Sequence, residues 1–194
     1  MKDKAELINA ILKHKEYKTY LELGIGQHLW TVSQIRCPSI CSVDVVKVND
    51  VFPSFIGTTD SFFEQNNKKF DAIYIDADHE ENAVIKDFNN SIQCLNEDGI
   101  IFMHDVGPLT EESTSLFAHG TAYKAFIKIR NSDNYTAFAY EFEEDKDVIG
   151  IVKKKKNNNK LNVDVPADID FCFYNKNKAE ILNKKTFTEI LDLI

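Results

Sequence analysis

The residues best suited to chemistry in this sequence fall in five short groups. Glu22 leads into two closely spaced glycines in Glu22-Leu23-Gly24-Ile25-Gly26. Asp44 lies near the end of an apolar run. Thr59-Asp60-Ser61 follows, then Asp76-Ala77-Asp78-His79, then His104-Asp105. The glycines allow backbone to approach a ligand closely in a turn. A carboxylate such as Asp44 can accept both hydroxyls of a ribose. His79 and His104 are candidate general bases, because an unperturbed imidazole titrates near pH ~6.5. Asp76, His104 and Asp105 offer two carboxylates and an imidazole, a donor set that suits manganese, iron or zinc better than magnesium or calcium. The same set would also serve as a metal-free acid–base cluster. No third glycine follows the turn, where Gln27-His28 stands instead, and this weighs against a dinucleotide site.

The pattern of apolar residues supplies elements to position these groups. Residues 4–15 place Leu7, Ile8, Ile11 and Leu12 on one face of a helix. A β-rich run over 19–25 ends in the glycine turn. A helix is expected over 28–37, stopped by Pro38 and carrying Trp30 as a core residue. Strands follow at 40–46 and 54–58, then a short helix over 60–67 capped by Asp60 or Ser61. Residues 70–76 form a strong strand. Residues 80–95 form a helix with Val84, Ile85, Phe88, Ile92 and Leu95 on one stripe, ended by Asp98-Gly99. The run 100–103 is wholly apolar, as at the centre of a parallel sheet. A polar loop spans 107–120, with Phe117 its one aromatic, and a helix spans 122–130. Two strands without an intervening helix, 135–142 and 148–153, predict a hairpin and hence one antiparallel strand.

Strand–helix alternation of this kind predicts an α/β doubly wound, mostly parallel seven-stranded sheet, with helices on both faces. In such a sheet ligands sit outside the carboxyl ends of the strands. All five groups follow predicted strands, so the fold would gather them in one crevice. Residues 1–156 would form that domain. Residues 157–194 would form a polar linker, opening within Lys153-Lys154-Lys155-Lys156-Asn157-Asn158-Asn159-Lys160, and a C-terminal helical appendage over 179–194.

Composition narrows the partners. The chain has 194 residues, 43% hydrophobic and 28% charged, with a net charge of −8. That balance is globular, and it disfavours nucleic acid and anionic membrane. The charge is uneven. Residues 1–152 hold 14 basic and 25 acidic side chains, and residues 153–194 hold 9 and 6. Cys37, Cys41, Cys94 and Cys172 lack zinc-ribbon spacing and read as reduced, buried thiols of a cytoplasmic protein. No signal-peptide pattern opens the chain, and no run approaches the roughly 18 apolar residues of a membrane span. Pairing with a second copy, a homo-oligomer, stays open.

Taken with their spacing, Glu22-Leu23-Gly24-Ile25-Gly26, Asp44, the strand Phe70-Asp-Ala-Ile-Tyr-Ile-Asp-Ala-Asp-His79 and the run Leu95-Asn-Glu-Asp-Gly-Ile-Ile-Phe-Met-His-Asp105 resemble the class I S-adenosylmethionine-dependent methyltransferases. More narrowly they resemble the bacterial small-molecule, macrocin-type sugar O-methyltransferases. The resemblance covers residues 17–153 and departs from the pattern at Gln27-His28. It implies a Rossmann-like fold with S-adenosylmethionine as cofactor. Glu22, Gly24 and Gly26 would then line the methionine end, and Asp44 would bind the ribose. Thr59, Asp60 and Ser61 would border the adenine. Asp76, His104 and Asp105 would face the transferred methyl, with His79 or His104 as base. The three would hold a divalent metal in the metal-dependent relatives. The acceptor would be a hydroxylated small molecule such as a sugar. A catalytically silent cofactor-binding protein and a nicotinamide-dependent oxidoreductase are the rival readings.

Overall fold

A computed structural model describes residues 1–115, 118–144 and 146–194. Phe117, the aromatic expected in the polar loop, lies outside the described residues. Seven strands form one sheet: β1 (Thr19–Leu23), β2 (Ser39–Asp44), β3 (Phe55–Ile56), β4 (Phe70–Ile75), β5 (Leu95–Met103), β6 (Thr136–Glu141) and β7 (Val148–Lys153). Their spatial order is β3-β2-β1-β4-β5-β7-β6. β7 runs antiparallel to both β5 and β6, and the other observed pairings are parallel. The order reverses between β1 and β4, which makes their carboxyl ends the switch point where a doubly wound sheet opens a crevice.

Among the described residues six α-helices cover the two faces: α1 (Lys4–His14), α2 (Thr59–Gln65), α3 (Glu81–Cys94), α4 (Ala122–Arg130), α5 (Phe171–Leu182) and α6 (Phe187–Leu193). Central strands are apolar on both sides, as a doubly covered sheet requires. Leu21, Leu23, Ile73, Ile75, Ile101 and Met103 pack on the face covered by α2, α3, α4 and α5. Tyr20, Ala72, Tyr74, Ile100 and Phe102 pack on the other, beneath α1 and α6. The period of two therefore turns Glu22 toward the α1 face. Asp3 caps α1 by accepting from Glu6 N at 2.9 Å, and Thr58, not Asp60 or Ser61, caps α2.

Further expectations from sequence give way to other solutions. The helix expected over 28–37 is one 3-10 turn, Val32–Gln34. Leu29 sits in the left-handed region with φ 54, which a right-handed helix cannot absorb. Asn9 of α1 then ties the segment down, donating to Gln34 O at 2.9 Å and accepting from Arg36 N at 2.6 Å. Trp30, expected in the core, is 70% exposed and stacks on His28. Asp98-Gly99 does not end a helix, because α3 stops at Cys94 and β5 begins at Leu95. Residues 96–99 instead bulge between the pairs Phe70–Leu95 and Ala72–Ile100. Of the thiols expected to be buried, only Cys94 is buried, and Cys172 is exposed.

The C-terminal segment is two helices where one was expected. Asn183, left-handed at φ 44, ends α5, and a Thr186–Glu189 capping box starts α6. Between them Lys185 N donates to Ala139 O at 2.9 Å on the edge strand β6. The tail thus straps the edge, with α5 on one face of the sheet and α6 on the other. The stretch expected as a polar linker is held as well, since buried Asn157 donates to the carbonyls of Arg130 and Ser132 at 2.9 and 3.0 Å. No helix among the described residues is long and apolar enough to cross a membrane.

Candidate functional site

Backbone ladders continue past the strand ends and fix the expected residues in place. Gly24 N donates to Val43 O at 2.9 Å, Asp76 N to Leu23 O at 2.8 Å and His104 N to Ile75 O at 3.1 Å. Gly24 has φ +79, and a Cβ there would lie 2.2 Å from Asp76 O, so only glycine lets β1 and β4 close at this point. Gly26, at φ +59, faces open space.

Two neighbouring cavities open along this edge. One, of about 330 Å³, is lined by Glu22, Gly24, Gly26, Asp44, Asp76 and His79, with Lys4 and Trp30 at its walls. The other, of about 260 Å³, shares Gly24, Asp44 and Ala77 and extends to Thr58, Thr59 and Asp78. Asp60 and Ser61 are not among its lining residues. Asp60 pairs with Lys86 at 2.6 Å, and the Ser61 hydroxyl donates back to Thr58 O at 2.8 Å.

The Asp44 carboxylate braces the glycine turn. Its Oδ2 accepts from Ile25 N at 3.0 Å and Gly26 N at 3.2 Å, and its Oδ1 accepts from Val46 N at 3.0 Å. Glu22 is 1% exposed and accepts from the Tyr20 hydroxyl at 2.6 Å. Burial pushes its carboxyl up to about 8, against the lowering effect of the Tyr20 hydrogen bond.

At the other end, His104 sits among carboxylates. Its Nδ1 lies 2.9 Å from Asp76 Oδ1 and 3.2 Å from Asp105 Oδ1, and its Nε2 lies 3.1 Å from Asp147 Oδ2. Burial disfavours the imidazolium, but Asp76, Asp105 and Asp147 together outweigh it and hold the pKa well above the ordinary imidazole value. The same contacts keep Asp105 and Asp147 below the usual carboxylate range in spite of their burial. Asp105 is 4% exposed and left-handed at φ 57, a conformation that Asp and Asn tolerate best.

His79 is oriented differently. Its Nδ1 lies 2.6 Å from Ala118 O. A carbonyl only accepts, so Nδ1 carries the proton and Nε2 is the basic nitrogen of the neutral ring. Residues 118–121 clamp this loop, with Thr121 N donating to His79 O at 2.7 Å. Asp76, His79 and Asp105 bring one ligand atom each within 4.8 Å of one another, and so do His104, Asp105 and Asp147. The expected trio of Asp76, His104 and Asp105 is adjacent, yet His104 Nδ1 is already engaged by both carboxylates.

Three site residues escaped the sequence reading. Asp147 precedes β7, and an antiparallel strand begins, rather than ends, at the carboxyl edge of its parallel neighbours. The expected hairpin held that signal. Lys4 reaches in from the first residue of α1, with Nζ 2.6 Å from His104 Nε2 and 3.5 Å from Asp147 Oδ2. His119 Nε2 approaches Asp105 Oδ1 at 4.0 Å. Nothing in the local pattern announced these last two.

Comparison with known proteins bears on this geometry. Residues 13–106 match the family model described as a methyltransferase domain. No curated protein matches the sequence. Among solved structures, the cofactor-bound Rv0187 from MTB is similar at 14% identity and a TM-score of 0.59, over 81% of this chain and 83% of that one. The O-methyltransferase TomG from Streptomyces achromogenes, involved in tomaymycin synthesis and solved with SAM, is similar at 9% identity and a TM-score of 0.57, over 78% and 79%. An O-methyltransferase from Bacillus cereus in complex with SAH is similar at 15% identity and a TM-score of 0.54, over 77% and 80%. The fold is therefore the Rossmann-like fold of these structures, and residues 13–106 are similar to a methyltransferase domain.

Proposed function

We propose that this protein is an S-adenosylmethionine-dependent O-methyltransferase that acts on a hydroxyl of a small molecule, with a sugar-like acceptor favoured. The observation that carries the reading is the meeting, at the β1–β4 switch point, of a glycine turn braced by Asp44 with a second cluster built on Asp76, His79 and Asp105. The two neighbouring cavities fit a long ligand with a ribose near their shared wall, which Gly24 and Asp44 form. All of these residues lie within 1–156, which would be the catalytic unit, with 157–194 bracing the sheet.

When bound, S-adenosylmethionine supplies a sulfonium methyl, which an acceptor oxygen takes in line as the C–S bond breaks and its electron pair returns to sulfur. The protein's part is positioning and removal of one proton. Gly24 and Gly26 hold the turn against the methionine end, and Asp44 has one acceptor position left for a ribose hydroxyl while it braces the turn. Thr59 borders the adenine end. His79 Nε2 takes the acceptor's proton, a role worth typically about 10²–10⁴-fold. Asp76 and Asp105 flank the imidazolium that forms. His104, held cationic by its carboxylates, keeps them in place and is not the base. Alternatively, the donor set of Asp76, His79 and Asp105 would fit a divalent ion such as manganese, iron or zinc that polarises the acceptor oxygen, with His79 then a ligand in place of the base. The polar loop with Thr110, Glu111 and Ser113 on the acceptor side favours a hydroxylated acceptor.

Isothermal titration with S-adenosylhomocysteine tests the cofactor. Binding in the micromolar range is expected, weakened about tenfold in Asp44→Ala, with a cooperative unfolding transition kept and its midpoint lowered by a few degrees as the turn loses its brace. No heat at high micromolar ligand would overturn the reading.

A further inference from the structure

One wall of the cavity belongs to a residue outside the matched segment, at the start of α1. β1 turns Glu22 toward α1, and Lys4, the first residue of α1, extends along that face into the 330 Å³ cavity. Among the described residues that line it, Lys4 is the one lysine or arginine. Its ammonium has three donors. Asp147 Oδ2 at 3.5 Å takes one, while the cationic His104, with Nε2 at 2.6 Å, has no lone pair to accept another, so two are left for a ligand.

Two of the usual donors for an anion at this place are missing or spent. In doubly wound sheets the helix that follows the first glycine turn aims its N-terminus at the ligand's anionic group. Here that segment is a single 3-10 turn, Val32–Gln34, tied to α1 through Asn9. The N–H groups of Ile25 and Gly26, which a glycine turn would offer, donate to Asp44. Glu22, Asp44 and Asp76 on the same cavity repel an anion when ionised. A zwitterionic amino-acid group can still be held, with its ammonium on the carboxyl side and its carboxylate on the lysine side.

We propose that Lys4 receives the α-carboxylate of the cofactor's methionine moiety, replacing the helix N-terminus that the β1–β2 connection lacks. The assignment rests on the cofactor reading above. It makes α1 part of the binding site, where the fold alone would make it a packing helix.

Two probes separate this from a packing role: S-adenosylhomocysteine and its decarboxylated analogue, which keeps the amine and lacks the carboxylate. The wild-type chain should bind S-adenosylhomocysteine at least about tenfold more tightly than the analogue. Lys4→Gln should lose about tenfold for S-adenosylhomocysteine and nothing for the analogue, so the preference collapses. Lys4→Arg should restore most of it, which also guards against misfolding of the first variant. Equal loss for both ligands, or no loss for either, overturns the assignment. If the wild-type chain binds both probes equally, Lys4 has no such role while the cofactor reading stands. If it binds neither, the cofactor reading itself fails.

Discussion

At the β1–β2 end of the cleft the ligand would meet mostly backbone. Gly24 is packed against the Asp76 carbonyl, Gly26 faces open space, and the Asp44 carboxylate is engaged by backbone amides. At the β4–β5–β7 end it would meet side chains: Asp76, Asp105 and Asp147 interlocked with His104, His79 and Lys4. The first end is fixed by sterics at Gly24 and by neutral amides on a single carboxylate, Asp44. The second is fixed by charge balance in a partly buried setting, where removing one member leaves another uncompensated. Binding and chemistry should therefore fail separately when each end is disturbed.

The largest separation is expected from Asp105→Asn. Asn tolerates the left-handed backbone at φ 57 and nearly matches the shape, so the fold should survive. The charge that faces His104 Nδ1 at 3.2 Å and His79 Nδ1 at 3.5 Å is lost. Methyl transfer, followed as S-adenosylhomocysteine release over a panel of hydroxylated acceptors, should fall about 10³-fold. Affinity for S-adenosylhomocysteine should stay within about threefold, because the other end supplies binding. Activity within tenfold of wild type would place the reaction elsewhere.

The backbone end should break through stability. Gly24→Ala and Gly26→Ala both put Ala at positive φ, a cost of about 1–2 kcal/mol. Only the first also drives a Cβ to 2.2 Å from a main-chain oxygen. Gly24→Ala should therefore cost about 3 kcal/mol or more, against about 1 kcal/mol for Gly26→Ala. Thermal unfolding reads this as a drop of about 2–4 °C per kcal/mol for a chain of this size. Equal shifts would mean that β1 and β4 do not close over Gly24 as described.

The two ends also differed in how well the sequence announced them. The glycine turn and Asp44 were legible because their roles follow from local chemistry: the turn needs residues without side chains, and the strand end needs an acceptor. Asp76, His104 and Asp105 were legible because parallel strands deliver their following residues to one edge. Asp147 was missed because an antiparallel strand reverses that rule. Lys4 was missed because no local pattern links the first residue of an amphipathic helix to a crevice 100 residues away in sequence. The lost helix over 28–37 had the same cause. Its fate was decided by Asn9, a long-range partner, together with a left-handed Leu29. The Thr186–Glu189 capping box, by contrast, is a local signal in the sequence that marks a second helix start within the tail.

Glu22 lies between the two ends and offers the finest test, because it is held by burial and feels the charges of both Asp76 and Lys4. Its carboxyl, raised to about 8 in the fold, keeps a proton that the unfolded chain gives up near pH ~4.3. The folded state binds more protons between these values, so this group's contribution is whole below pH ~4.3 and is lost as pH climbs to about 8. Glu22→Gln keeps an acceptor for the Tyr20 hydroxyl and removes the titration. Relative to wild type, the variant should therefore gain stability from pH 5 to pH 9, on the order of 1–3 kcal/mol in chemical denaturation. Parallel curves for the two proteins would mean that Glu22 is already ionised in the fold. Combining the change with Lys4→Gln sharpens the comparison. The Lys4 charge lowers the Glu22 pKa, so in the Lys4→Gln background the wild-type Glu22 should hold its proton to higher pH and its loss of stability should shift upward with it. A shift of that sign would show that α1 sets the charge of the backbone end while it binds the ionic one.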